Sequence, residues 1–150
     1  MVTDGTPGVE LDPRYTYFFD DALFEETDRP GFRRRIIVGE HLELWFWRIT
    51  GGGEGSFLHN HEVNEQLGII MRGTLDFRIG TADDHSRKVL GPGDVYLAPA
   101  AVWHGESVFI GDDELNEVWI LDVFAPPRTP RTPRTSPPVE ASTASESTVS

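Results

Sequence analysis

His59 and His61 stand one residue apart in the stretch GSFLHNHEVNEQLGIIMRG, Gly55 to Gly73, with Glu62, Glu65 and Gln66 close behind. In an extended strand, residues i and i+2 project to one face, about 7 Å apart along the backbone. That spacing would present two imidazoles side by side, and neutral imidazole is the commonest metal ligand among side chains. A third histidine, His104, lies in the proline-punctuated stretch GPGDVYLAPAAVWHGE, Gly91 to Glu106, and could complete the set. Glu65 and Gln66 are adjacent, so a regular strand turns only one of them inward. Gln66 shares a face with Asn64, Gly68 and Ile70, and Glu65 with Leu67 and Ile69. The choice has chemical weight. Three neutral imidazoles and an amide would leave a divalent ion its full charge for polarising a substrate oxygen, whereas a carboxylate would suit redox iron or manganese. His41 and His85 fit no such pattern and read as surface residues.

The elements that must position these groups read as strands. Arg33–Val38 and Leu42–Ile49 are rich in β-branched and aromatic residues. Leu67–Met71 is a short apolar run closed by a turn at Arg72-Gly73. Thr74–Ile79 alternates, with Leu75, Phe77 and Ile79 on the core side. A polar loop is expected over Gly80–Ser86, then strands at Arg87–Leu90 and Val95–Leu97, with His104–Phe109 continuing the sheet. Glu117–Phe124 is the last strand, and Val118, Ile120, Asp122 and Phe124 share one of its faces. If that face lines a cavity, Asp122 is a carboxylate in apolar surroundings, where burial raises its pKa and suits it to acid–base work. Asp20–Glu26 reads as a short helix. Thr50–Gly55 is a flexible turn and not a phosphate loop, since no Gly-Lys-Ser/Thr follows. Arg33, Arg34 and Arg35 read as a solvated edge or as partners for carboxylates. Many short strands with Gly, Pro and Asp turns indicate an all-β sandwich or barrel.

The chain has 150 residues and a formal net charge of −12, and it lacks cysteine. One domain, over residues 14–125, is expected. The acidity argues against nucleic-acid and anionic-membrane partners, and the missing thiols exclude disulfides and Cys-bound metals. No apolar run has the length of a membrane span, and the N-terminus lacks signal-peptide character, so a cytoplasmic location is expected. Residues 1–13 read as a flexible arm. Residues 126–150, rich in Pro, Thr and Ser and carrying an RTP repeat, read as a disordered tail.

Gly55, His59, His61, Glu65 or Gln66, and Gly73 resemble the first sequence motif of the cupin superfamily. Gly93-Asp94, Pro99 and His104 resemble its second, with Ala101 where a glycine usually stands. The likeness covers Arg35 to Phe124. It implies a small jelly-roll barrel (a double-stranded β-helix), metal ligands pointing inward, and pairing as a homodimer. It also favours Gln66 over Glu65, giving His59, His61, Gln66 and His104 as ligands of one divalent ion: zinc, nickel, iron or manganese. The segment LDVFAPPR, Leu121 to Arg128, is similar to a subgroup of small cupins that open the ring of unsaturated uronates. The likeness places Asp122, Phe124 and Arg128 in the active site. That subgroup carries a glutamine where this chain has Gly68, which implies a different, less polar substrate. Trp45, Phe46, Trp47, Tyr96 and Trp103 agree with an apolar ligand, as in the small cupin cyclases of polyketide biosynthesis. The expected function is a metal-dependent, non-redox conversion of a small oxygenated molecule by isomerisation, ring opening, cyclisation or elimination. An iron dioxygenase and a non-catalytic metal- or ligand-binding module are the alternatives.

Overall fold

The computed structural model describes residues 15–52 and 55–129. Among the described residues nine strands form in chain order: β1 Glu25–Glu26, β2 Phe32–Val38, β3 Glu43–Thr50, β4 Glu65–Arg72, β5 Thr74–Gly80, β6 His85–Leu90, β7 Val95–Ala98, β8 Val108–Ile110 and β9 Glu117–Ala125. Where a short helix was expected at Asp20–Glu26, there is one 3₁₀ turn, Asp21–Leu23. The Asp20 carboxylate caps it by accepting from the Ala22 N–H at 3.0 Å. The next residues pass directly into β1. Among the described residues no helix is long and apolar enough to cross a membrane.

The strands pair antiparallel in two sheets, ordered β1-β2-β3-β9-β4-β7 and β6-β5-β8. This is the all-β jelly-roll expected from the strand pattern. Alternation along each strand divides inside from outside. On β9, Val118, Ile120, Asp122 and Phe124 are all buried. The register sets Trp45 opposite Asp122, Trp47 opposite Ile120 and Ile49 opposite Val118. On the other side of β9, Gln66, Gly68 and Ile70 stand opposite Phe124, Asp122 and Ile120. The small sheet contributes Leu75, Phe77 and Phe109 to the same core. Ile70 and Val118 are fully buried, and each such side chain stabilises the fold by about 1.5–3 kcal/mol.

Two loops differ from the sequence reading. β6 begins at His85, so the polar loop is shorter than expected. The segment His104–Phe109 does not run on as a strand: it makes an isolated bridge at His104 before β8 begins at Val108. At the turn into β9, the Asp112 carboxylate pairs with Arg72 at 2.8 Å and accepts from the Glu117 N–H at 3.0 Å. Arg72, then the Glu117 N–H, holds that carboxyl down at about 2.

The first four residues expected in the tail lie against the barrel. Thr129 donates to the Glu43 carboxylate from its backbone N–H (2.7 Å) and its hydroxyl (2.8 Å). Glu43 is completely buried, and the Trp45 indole N–H also donates to it. The arm expected at 1–13 and the tail from residue 130 onward lie outside the described residues.

Candidate metal centre

His59 and His61 are not on a regular strand. Residues 55–64 are irregular, and β4 starts only at Glu65. What positions the histidines is a mutual backbone bridge: the His59 N–H donates to the His104 carbonyl and the His104 N–H to the His59 carbonyl, both at 2.8 Å. The Ala101 N–H donates to the His61 carbonyl at 2.7 Å, a second tie between the two segments. Ala101 has a φ of +69°, a left-handed conformation that glycine adopts without steric cost. Gly105 lets the loops meet, since a Cβ there would lie 2.1 Å from the Phe57 carbonyl oxygen.

The result is a cluster in which one ring nitrogen from each of His59, His61 and His104 lies within 4.8 Å of the others. Two rings are oriented from behind. The Nδ1 of His59 meets the Phe57 carbonyl at 2.5 Å, and the Nδ1 of His104 meets the Val102 carbonyl at 3.1 Å. A carbonyl can only accept, so Nδ1 carries the proton in both and Nε2 keeps its lone pair. Burial lowers the pKa of His104, and burial followed by the charge of Arg128 lowers that of His61 to about 4. The His61 and His104 imidazoles are therefore neutral near pH 7, the form that binds a metal.

Gln66 completes the constellation. It is buried while Glu65 is exposed, so the parity of β4 turns the amide inward. Its Oε1 lies 3.1 Å from Nε2 of His61 and 3.1 Å from Nε2 of His104. Its Nε2 donates to the Tyr96 hydroxyl at 2.9 Å, and that hydroxyl donates to Asp122 Oδ1 at 2.5 Å. Because Tyr96 gives its proton to the carboxylate, it accepts from the amide, which fixes the Gln66 oxygen toward the histidines. An amide oxygen and the lone pair of the His104 Nε2 then face one another without a donor between them. Such converging acceptors fit a divalent cation.

The cluster opens into a cavity of about 590 Å³. Asp122 lies in its wall, 6% exposed. Burial pushes its carboxyl up to about 6, and hydrogen bonds from Tyr96, Gln66 and Trp47 oppose the shift. Phe124 stands beside His61, with ring centroids 5.6 Å apart, and the Arg128 guanidinium lies 5.0 Å from the Phe124 ring. Asp122, Phe124 and Arg128 thus share one cavity with His59, His61, His104 and Gln66. Of the aromatic residues singled out in the sequence, Trp45, Trp47 and Tyr96 line it, whereas Phe46 packs on Phe19 across the sheet and Trp103 is largely exposed.

Three contributors were not legible as such. Tyr96 read only as one aromatic among several, Glu43 gave no signal, and Arg34 read with its neighbours as a surface or ion-paired residue. Arg33 does pair with Asp21 and Glu117. Arg34 instead faces the cavity, its guanidinium 4.6 Å from the Trp45 ring. The signal available was parity: Phe32, Arg34 and Ile36 alternate along β2.

Gly68 has a local reason. A Cβ on it would lie 2.1 Å from the Tyr96 ring, which stacks on Phe77 at 4.2 Å. Tyr96 thus occupies the space that a longer side chain at 68 would need. Gly68→Ala is expected to cost about 1–3 kcal/mol, as overpacking of a filled site does. A thermal melt of the variant reads this, and an unchanged midpoint would show that Tyr96 moves freely aside.

A two-sheet jelly roll with three imidazoles converging in its cavity defines a cupin-type barrel. The Cupin domain model matches residues 45–121, and the chain belongs to the cupin family. Among curated protein sequences, none matches it. Solved structures that it resembles include KdgF from Halomonas sp., at 24% identity over 74% of this chain and 94% of that one, with a TM-score of 0.60. An RmlC-like cupin from Shewanella frigidimarina is similar at 24% identity over 75% and 93%, with a TM-score of 0.58. The oxalate decarboxylase of Bacillus subtilis, a protein with Mn(II) centres, is 17% identical over 69% of this chain and 27% of its own, with a TM-score of 0.57. At these identities the likeness speaks for the fold.

Proposed function

We infer that the protein is a metal-dependent enzyme for a non-redox conversion of a small oxygenated molecule: an isomerisation, ring opening, cyclisation or elimination. The observation that carries this reading is Asp122, a buried carboxylate in the wall of the same cavity as the imidazole cluster, joined to Gln66 through Tyr96. A module that only bound metal would have no use for a carboxylate buried there, at a cost in desolvation.

His59, His61, Gln66 and His104 would hold one divalent ion, which when bound supplies Lewis-acid polarisation of a substrate oxygen. All four donors are neutral, which favours this chemistry over redox cycling. Asp122 takes a proton from the substrate and returns it at another atom, so no electrons are gained or lost. Tyr96 holds the Asp122 carboxylate toward the cavity by donating to one of its oxygens. Phe124 and the Arg128 guanidinium form the side of the cavity next to His61, where they would contact and orient the substrate. The sequence likeness of Leu121–Arg128 to uronate ring-opening cupins supports a carbonyl- or hydroxyl-bearing substrate.

The test is turnover of a panel of uronates and cyclisable polyketide-type compounds, without oxygen, before and after chelation. Turnover lost on chelation and restored by one divalent ion, oxygen absent, is the expected result. An absolute requirement for oxygen would move the assignment to a dioxygenase. No turnover in any metal-loaded form would leave a binding module.

A further inference from the structure

The Arg34 and Arg128 guanidiniums both rest on the Trp45 indole, their central carbons 4.6 and 5.0 Å from its ring centroid. Arg34 also lies 5.7 Å from the Trp47 ring, and Arg128 5.0 Å from the Phe124 ring. Both residues line the cavity. Stacking on aromatic faces fixes the plane of a guanidinium and leaves its five edge N–H donors free to bond. Among the described residues neither guanidinium makes a hydrogen bond or an ion pair. Other arginines of the barrel do: Arg33 and Arg48 on Asp21, Arg72 on Asp112, and Arg78 on the Gly80 and Thr81 carbonyls. The buried carboxylates nearby are engaged elsewhere. Glu43 accepts from Thr129 and Trp45, and Asp122 from Tyr96.

The two like charges repel each other. The buried Glu43 and Asp122 carboxylates attract the Arg128 guanidinium without an ion-pair contact among the described residues. An anion on the two forks would offset the rest of that repulsion. A planar carboxylate matches the guanidinium fork. It also carries a single charge, which suits entry into a chain of net charge −12 better than a phosphate dianion does. The Phe124 ring lies 5.0 Å from the Arg128 guanidinium and 5.6 Å from the His61 ring, so one small ring or chain can reach from one to the other. Phe32, Ile49, Leu75, Phe77 and Phe109 give the cavity an apolar stretch of wall, while Glu26, Asp28 and Ser107 are among its polar lining.

We propose that Arg34 and Arg128 together bind the carboxylate of the substrate, so that the cavity takes a small apolar-bodied carboxylic acid whose reacting oxygen lies at the histidine cluster. The reacting end of this placement rests on the enzymatic reading above; the anion subsite does not.

The experiment is calorimetric titration of the metal-free protein with benzoate and with its uncharged analogue benzamide, for the native chain, Arg34→Gln and Arg34→Lys. Benzoate is expected to bind at least about tenfold tighter than benzamide to the native chain, as hydrogen bonds to a charged group allow. Arg34→Gln should abolish that preference and Arg34→Lys keep part of it, with benzamide affinity unchanged throughout. Thermal melts check that both variants fold. Equal affinity of the native chain for the two probes, no benzoate binding, or an intact preference in Arg34→Gln would overturn the proposal. A charge preference that depends on Arg34 in a protein without turnover would uphold the subsite and defeat the enzymatic reading instead.

Discussion

Asp122→Asn is expected to lower turnover about 10²- to 10⁴-fold, the usual contribution of a positioned general acid or base, while the metal content stays unchanged. The amide keeps the size of the carboxylate and retains an oxygen for the Tyr96 hydroxyl, so the link to Gln66 is preserved. What it loses is the capacity to take up a proton. A neutral amide is also cheaper to bury than a carboxylate, so the melting temperature should be kept or raised. This combination separates loss of chemistry from loss of fold. Steady-state turnover, elemental analysis and a thermal melt on one preparation read all three. Undiminished turnover in Asp122→Asn would remove this residue from the mechanism.

His104→Ala is expected to abolish stoichiometric metal binding, and Gln66→Ala to weaken it. Removal of an outer hydrogen-bond partner of a metal ligand typically costs 10–100-fold in affinity, about one to two orders of magnitude, and removal of a ligand should exceed that. The backbone bridge between residues 59 and 104 needs no imidazole, so the loop should hold its course in the variant. Competition with a chelator followed by elemental analysis measures the effect. Full metal retention by His104→Ala would place the ion elsewhere.

The jelly roll was legible because the alternation of β4, β5 and β9 survives folding almost unaltered, down to the shared inner face of Val118, Ile120, Asp122 and Phe124. The ligand candidates were legible for a related reason: Gln66 and Glu65 differ in parity, and burial follows parity. The histidines came together for a reason that strand periodicity does not contain. Their segment is irregular, and it is held by hydrogen bonds to a loop some 40 residues away, about the separation of His61 and His104 in the chain. Tyr96 acquires its role only through the register that sets it across from Gly68. Arg34 sits in a run of three arginines whose charge pattern suggests solvent. Which of the three faces the cavity is decided by the pairing of β2 with β3, where Arg34 meets Trp47, while Arg35 is buried with its guanidinium on the Phe18 carbonyl. Composition favours the wrong answer there, because a buried arginine is stable only where aromatic faces, carbonyls or an anion receive it, and those partners come from elsewhere in the fold.

The bond between Thr129 and Glu43 fixes where this barrel can be cut. A chain trimmed at Ala125, where the last strand ends, would lose Arg128 from the cavity and strip a fully buried carboxylate of two of its three donors. Leaving such a group unpaired costs several kcal/mol, about as much as many small domains can spare. The barrel with its complete cavity wall therefore ends no earlier than Thr129, and the Pro-, Thr- and Ser-rich extension follows that wall directly in the chain.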